Sequence, residues 1–502
     1  MHSFPILTAT LLIPVFGAAW IMLLPAGKKS TIKYVAAASS FISLLLSLLV
    51  FFGFDRSRGG MQFVESIPWV KDLGVSYALG VDGISIPLLL LTTLIGFSAV
   101  YASWQIEERV KEFFALLLLL ITGVMGTFVT TDLFIFFLFY EVVVIPIYLL
   151  VIMFGSSKRV TKEYAGMKLT IYLLIGSAFL LVGLIALFIK SQAILGYPTM
   201  DISTLAAVDY PVWFQVFVFS LMALGFGTLL SMFPFHAWSP DGYAGAPTAV
   251  SMIHAGVLKK IGGYGLIRIG LFILPLGAKY IAPIIAVLAI GNVVYAAFIC
   301  LSQKDLKYIV GYSSVSHMGY VLIGFAALNL ISLNGAVMMM YAHGVMAALF
   351  FAMIGSLYHK SHTRDVTDFG GLAHQMPRLA TGLMLAGLAS LGLPGLVNFI
   401  GEFTIFVGAF QEYRILTVIA VSGIVLTAVY ILRTLGDVLF GPRKERWDHL
   451  EDLKGVEMVP LIVLGGAIIV GGILPFTLMD LINSGMGQLL AQINLTQMGG
   501  SL

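Results

Sequence analysis

Three ionisable residues stand deep inside apolar runs of this chain: Glu141, Lys260 and Glu402. A charged side chain at lipid depth costs roughly 2.5 kcal/mol or more on insertion scales, so each demands either a partner or a function. Glu141 falls about eight residues into the run DLFIFFLFYEVVVIPIYLL. A carboxylate there suits a site that binds and releases a proton; the alternative is a structural ion pair with a neighbouring lysine. Lys168, in YAGMKLTIYLL, is either that neighbour or a side chain reaching for the membrane surface. Glu402 follows Gly392-Leu393-Pro394-Gly395 by about two turns. It reads as an exit-side proton site, or as the salt-bridge partner of Lys307.

Lys259 and Lys260 are consecutive, so on a helix they point about 100° apart and only one faces a given cavity. Lys260 precedes the close-packing pair Gly262-Gly263 and is expected to be the buried one, with Lys259 supporting it or reaching the surface. His236, His254, His317 and His343 add groups that titrate near neutrality. A single buried histidine is more often a packing residue. Four in separate apolar stretches, with Ser313, Ser314, Ser316 and Tyr341 nearby, point to a hydrated polar axis.

The elements that must position these groups follow from composition. Of 502 residues, 59% are hydrophobic and 11% charged, and the mean hydropathy is +0.99. This is an all-α polytopic membrane protein. One cysteine, Cys300, excludes an internal disulfide and is too few for an iron–sulfur cluster or thiolate zinc site. Nothing in the sequence supports nucleic-acid binding or a metal site. Fourteen apolar runs of spanning length are expected, from about 5–24 to 459–481. The first is read as a retained helix, because no positive charge precedes it and Lys28 and Lys29 follow it.

Two stretches are interrupted. Between Leu229 and Tyr264 stand Pro234, Pro240, Gly242, Gly245 and Pro247; the run 379–411 is too long for one straight span and contains Gly392 to Gly395. Non-helical backbone at membrane depth persists only inside protein or along a hydrated cavity, and broken helices offer free backbone groups to ions. A broken helix takes fourth place both in spans four to eight and in spans nine to thirteen. Two inverted five-helix repeats are therefore expected. The division is 1–110 for three N-terminal spans, 111–272 and 273–440 for the repeats, and 441–502 for a loop, the last span and a short tail. Seventeen basic residues fall in loops after odd spans and six after even ones, which makes the odd loops cytoplasmic and both termini external.

The runs DLFIFFLFYEVVVIPIYLL, MFPFHAWSPD, APTAVSMIHAGVLKKIGGYGLIRI, QKDLKYIVGYSSVSHMGYVLIG, HGVMAALFF and LPGLVNFIGEF resemble the proton-translocating, antiporter-like chains of respiratory complex I, the subunit M (chain 4) type above all. The resemblance spans about residues 60 to 480. It implies that Glu141 is the span-five carboxylate, Lys260 the central lysine, His317 and His343 members of the connecting axis, and Glu402 the terminal site. Where the family carries a lysine in span seven this chain has Leu229, and no Lys or Arg occurs between Lys190 and Lys259. Glu141 thus lacks its usual partner, and Lys168, or failing that His254, is expected to approach it.

Further implications follow from the resemblance. Electron transfer elsewhere in a NADH (or other donor):quinone oxidoreductase would drive proton movement through Glu141, Lys260 and Glu402. FMN, iron–sulfur clusters and quinone would belong to partner subunits, with no cofactor in this chain. The partners would be antiporter-like L and N chains, small helical subunits and lipid, in a bacterial inner membrane. The alternatives are a subunit of a multi-subunit Na+/H+ antiporter, of a hydrogenase-linked relative or of a CO2-uptake complex, and a purely structural spacer.

Overall fold

The structure, a computed structural model, describes residues 4–156 and 159–493. Lys158 and Leu502, which enter the orientation reading, lie outside the described residues. Among the described residues, twelve helices are long and apolar enough to cross a membrane by length and composition. They are α1 (Ile6–Leu23), α2 (Lys29–Gly53), α3 (Ser85–Ala102), α4 (Val110–Val129), α5 (Leu133–Phe154), α6 (Lys162–Leu195), α7 (Val212–Leu230), α10 (Pro275–Ser302), α11 (Leu306–Ala326), α12 (Leu330–Ser361), α15 (Arg414–Phe440) and α16 (Gly455–Ile473). The two remaining stretches expected to span contain shorter or irregular helices. One is α9, residues 248–271, helical throughout but with π turns at His254–Leu258 and Leu266–Leu271. The other is split into α13 (Pro377–Ser390) and α14 (Val397–Glu412).

Three features add to the sequence reading of a helical membrane protein. An antiparallel hairpin, β1 (Gln62–Val70) and β2 (Val75–Val81), joins α2 to α3, so the fold is not purely helical. Its strands carry four valines, with Phe63, Trp69 and Tyr77, and Gly74, at φ +63°, makes the left-handed corner near the turn. The proline-rich interruption follows α7: Ser231 ends that helix in a left-handed conformation, and a short helix α8 (Trp238–Gly245) precedes α9. The stretch after α16 is not a loose tail, because α17 (Phe476–Gln492) is a helix tied to α12 by Asn334 Nδ2 donating to Asn483 Oδ1 at 2.8 Å.

Burial sorts the helices. The most apolar window of α12 is 100% buried and that of α11 94%, whereas α15 and α16 bury 33% each. Polar groups on α11 and α12 therefore meet protein rather than lipid.

Side-chain caps fix where the long helices begin. Asp132 Oδ1 accepts from Phe134 N and Ile135 N at the start of α5; Asp305 Oδ1 accepts from Lys307 N and Tyr308 N at the start of α11. Each cap is also held by a short antiparallel bridge, Asp132 to Asp201 and Asp305 to Asp365. The backbone bonds match: Leu133 N to Met200 O and Ile202 N to Thr131 O in one, Leu306 N to Arg364 O and Val366 N to Lys304 O in the other. Between each pair of bridged segments runs one overlong helix, α6 with 34 residues and α12 with 32.

Candidate functional site

The interruption after α7 frees backbone groups that lipid could not satisfy. Asn292, in a π turn of α10, satisfies them: its Oδ1 accepts from Phe233 N at 2.6 Å, and its Nδ2 donates to Ser231 O at 2.8 Å and Val315 O at 3.1 Å. Nothing in the local sequence marks Asn292 for this task, since its partners lie 59, 61 and 23 residues away.

On α9, Lys260 is fully buried. Its Nζ donates to Ala255 O and lies 2.8 Å from His343 Nδ1. A π turn precedes the lysine pair, and its wider hydrogen-bond spacing lets the ammonium bond back to the Ala255 carbonyl. The His343 and His317 rings follow, with centroids 5.4 Å apart. His317 Nδ1 lies 2.7 Å from Ser313 O and Nε2 3.1 Å from Ser390 O. Carbonyl oxygens only accept, so both contacts form at once only with the doubly protonated ring. The carboxyl group in reach is that of Glu402, with Oε1 3.8 Å from His317 Nε2.

Ser390 is the last residue of α13, so the carbonyl that His317 meets belongs to the broken helix end. Gly392, at φ +65°, turns the chain there. A Cβ on it would fall 2.2 Å from Glu402 Oε2, so the carboxyl needs both the turn and the missing side chain. Lys260, His343, His317 and Glu402 thus form one buried line across α9, α12, α11 and α14.

Several expectations are corrected. Lys168 does not serve Glu141: its Nζ donates to Asp241 Oδ2 at 2.7 Å, and Tyr308 Oη donates to the other oxygen at 2.7 Å. His254 does not serve it either, being held between the Trp238 ring at 5.0 Å and the Tyr243 ring at 4.7 Å. Glu141 is half-buried, beside the exposed Val142 and Ile145, and makes no hydrogen bond or ion pair among the described residues. Lys259 does not reach the surface; it is as fully buried as Lys260. Lys307 is not the partner of Glu402, because its Nζ donates to Ala246 O at 2.7 Å and Ser251 Oγ at 3.3 Å. Sequence reasoning also missed Asp82, fully buried against Arg268 near the far end of α9.

Residues 130–427 match the NADH:quinone oxidoreductase/Mrp antiporter transmembrane family, more than half of the chain. The chain belongs to that family. Among its curated relatives, NAD(P)H-quinone oxidoreductase chain 4 2 of Microcystis aeruginosa is 38% identical over 447 residues, 88% of this chain and 80% of the relative. NAD(P)H-quinone oxidoreductase chain 4 1 of a Synechococcus species is 38% identical over 474 residues, covering 92% and 88%. A chain of respiratory complex I from Thermus thermophilus superposes with a TM-score of 0.87 at 26% identity, covering 97% of this chain and 100% of that one. A chain of the Mrp complex from a Dietzia species has the same fold, with a TM-score of 0.85 at 20% identity and 99% of each chain covered. As a family member with twelve apolar helices of spanning length, the chain is an integral membrane protein.

Proposed function

We propose that this chain is the proton-translocating membrane subunit, of the M (chain 4) type, of a complex I-type oxidoreductase taking electrons from NADH or another donor to quinone. One observation carries the reading: a buried line of titratable groups, Lys260 to His343 at 2.8 Å, His343 to His317 with rings 5.4 Å apart, and His317 to Glu402 at 3.8 Å. Such groups at membrane depth mark proton relays. Electron transfer in partner subunits, which hold the FMN, iron–sulfur clusters and quinone, changes the field on the line; Lys260 gives its proton to His343, and Glu402 releases one outward.

Glu141 takes part from the rim. Half-buried on the outer face of α5, it meets lipid unless another chain covers it, and an antiporter-like neighbour offering a cation would satisfy it. The five-span units 111–272 and 273–440 are inverted repeats on this reading. The two matching cap-and-bridge arrangements support it, as do the two overlong helices and the two interrupted ones that follow them. The membrane is a bacterial inner membrane with the basic loops inside.

The test is Glu402→Gln in the assembled complex. Proton translocation into inverted vesicles is expected to fall about tenfold or more, as for loss of a proton-transfer group, with assembly judged separately on native gels. Wild-type translocation would refute the reading. Orientation has its own test. The native cysteine, Cys300, is buried, so a cysteine introduced at Arg443 reports alone. It is expected to resist impermeant maleimide in intact cells and to react in inverted vesicles; labelling from outside would reverse the topology.

A further inference from the structure

Lys259 is a buried cation that the line from Lys260 to Glu402 leaves unused. It is fully buried and makes no ion pair among the described residues. Its polar surroundings are thin: Ser314 Oγ from α11 at 3.4 Å, and the face of the Tyr243 ring from α8, 4.9 Å from Nζ. The titratable groups in electrostatic reach are Lys260 and His254 on its own helix, His236 in the interruption and His343 on α12. Lys260 is better provided, with a carbonyl and an imidazole nitrogen. Two ammonium groups on consecutive residues in a low-dielectric interior repel each other, so the pair holds one proton more readily than two, as paired carboxylates do. In the arrangement described, Lys260 has the stronger hold on it.

We propose that Lys259 and Lys260 form a two-site proton store in which Lys259 is the reloading site. The Lys260 ammonium transfers a proton to His343 Nδ1, leaving a neutral amine and an imidazolium. Repulsion on Lys259 then falls, its neutral amine takes a proton from the side of the basic loops, and that proton passes to Lys260. Polar groups lead inward from that side. A cavity of about 290 Å³ is lined by Thr248, Lys307, His359, His362 and Glu457 among others. From it Lys307 Nζ reaches Ser251 Oγ, which donates to Tyr243 O at 2.9 Å. The Tyr243 and Ser239 hydroxyls beyond are buried next to each other, polar groups of the kind that ordered water joins. This inference rests on the proton-pump reading and goes beyond it by adding a carrier where span seven has Leu229.

Lys259→Met and Lys259→Arg, made in the assembled complex, separate a titrating role from a structural one. A structural contact with the Tyr243 ring tolerates arginine, which also stacks on aromatic faces; a proton store does not, because arginine holds its proton. The expected result is that both variants assemble and move half or fewer of the wild-type protons per electron pair. Wild-type coupling in Lys259→Arg overturns the proposal, and it remains the deciding variant if Lys259→Met fails to assemble. Wild-type coupling in Lys259→Met while Lys260→Met is impaired overturns the store and spares the pump. Wild-type coupling in Lys260→Met as well overturns both.

Discussion

Lys260→Met abolishes proton translocation, by about 100-fold in rate, and leaves the complex assembled. Two facts set this expectation. Lys260 is the group through which α9 meets the histidines, with His343 Nδ1 at 2.8 Å, and methionine has no proton to give. Lys260 also has no ion-pair partner among the described residues, so its removal strands no opposite charge and replaces a buried ammonium by an apolar side chain of similar length. Folding is therefore spared where function is not. Translocation in reconstituted vesicles, normalised to assembled complex, checks it; residual pumping above a tenth of wild type would count against the line as the main route.

Asp82→Ala is expected to act on stability instead. Arg268 reaches Asp82 from α9, both residues are 4% exposed, and the other Asp82 oxygen caps α3 by accepting from Ile84 N and Ser85 N at 3.0 Å each. Removing one partner of a buried pair leaves an uncompensated charge, a loss of about 3 kcal/mol or more, with the cap lost as well. The melting temperature of the detergent-solubilised complex should drop markedly. Asp82→Asn combined with Arg268→Met should recover most of the loss, since the double variant leaves no lone charge. An unchanged melting temperature in Asp82→Ala would mean that water or another group compensates Arg268.

What the sequence made legible was whatever depends on local chemistry. Prolines and glycines after Leu229 and at Gly392 to Gly395 marked the interruptions, and charges inside apolar runs marked Lys260 and Glu402 as groups with a reason to be there. Partnerships across long separations were not legible. Lys168 and Asp241 are 73 residues apart and Arg268 and Asp82 186, and no periodicity ties such positions together. The argument that Lys259 and Lys260 cannot share an interior failed for a definite reason. It assumes a helix with an outer face, and α9 has none: every residue from Met252 to Leu271 is buried. Glu141 failed in the opposite way. An apolar helix looks equally deep on all sides in sequence, and only packing reveals that this carboxylate lies toward the rim.

The two π turns of α9 have a mechanical meaning. Each holds a residue more than α geometry would use for the same turn, and together they bracket the seven-residue segment Lys259–Gly265. The helix is held at one end by Ser251 on the Tyr243 carbonyl and at the other by Arg268 on Asp82. It has the construction of an axle clamped in two bearings with slack between them. The lysine pair therefore sits on a stretch of α9 that is fixed from both sides, by Ser251 before it and by Arg268 after it.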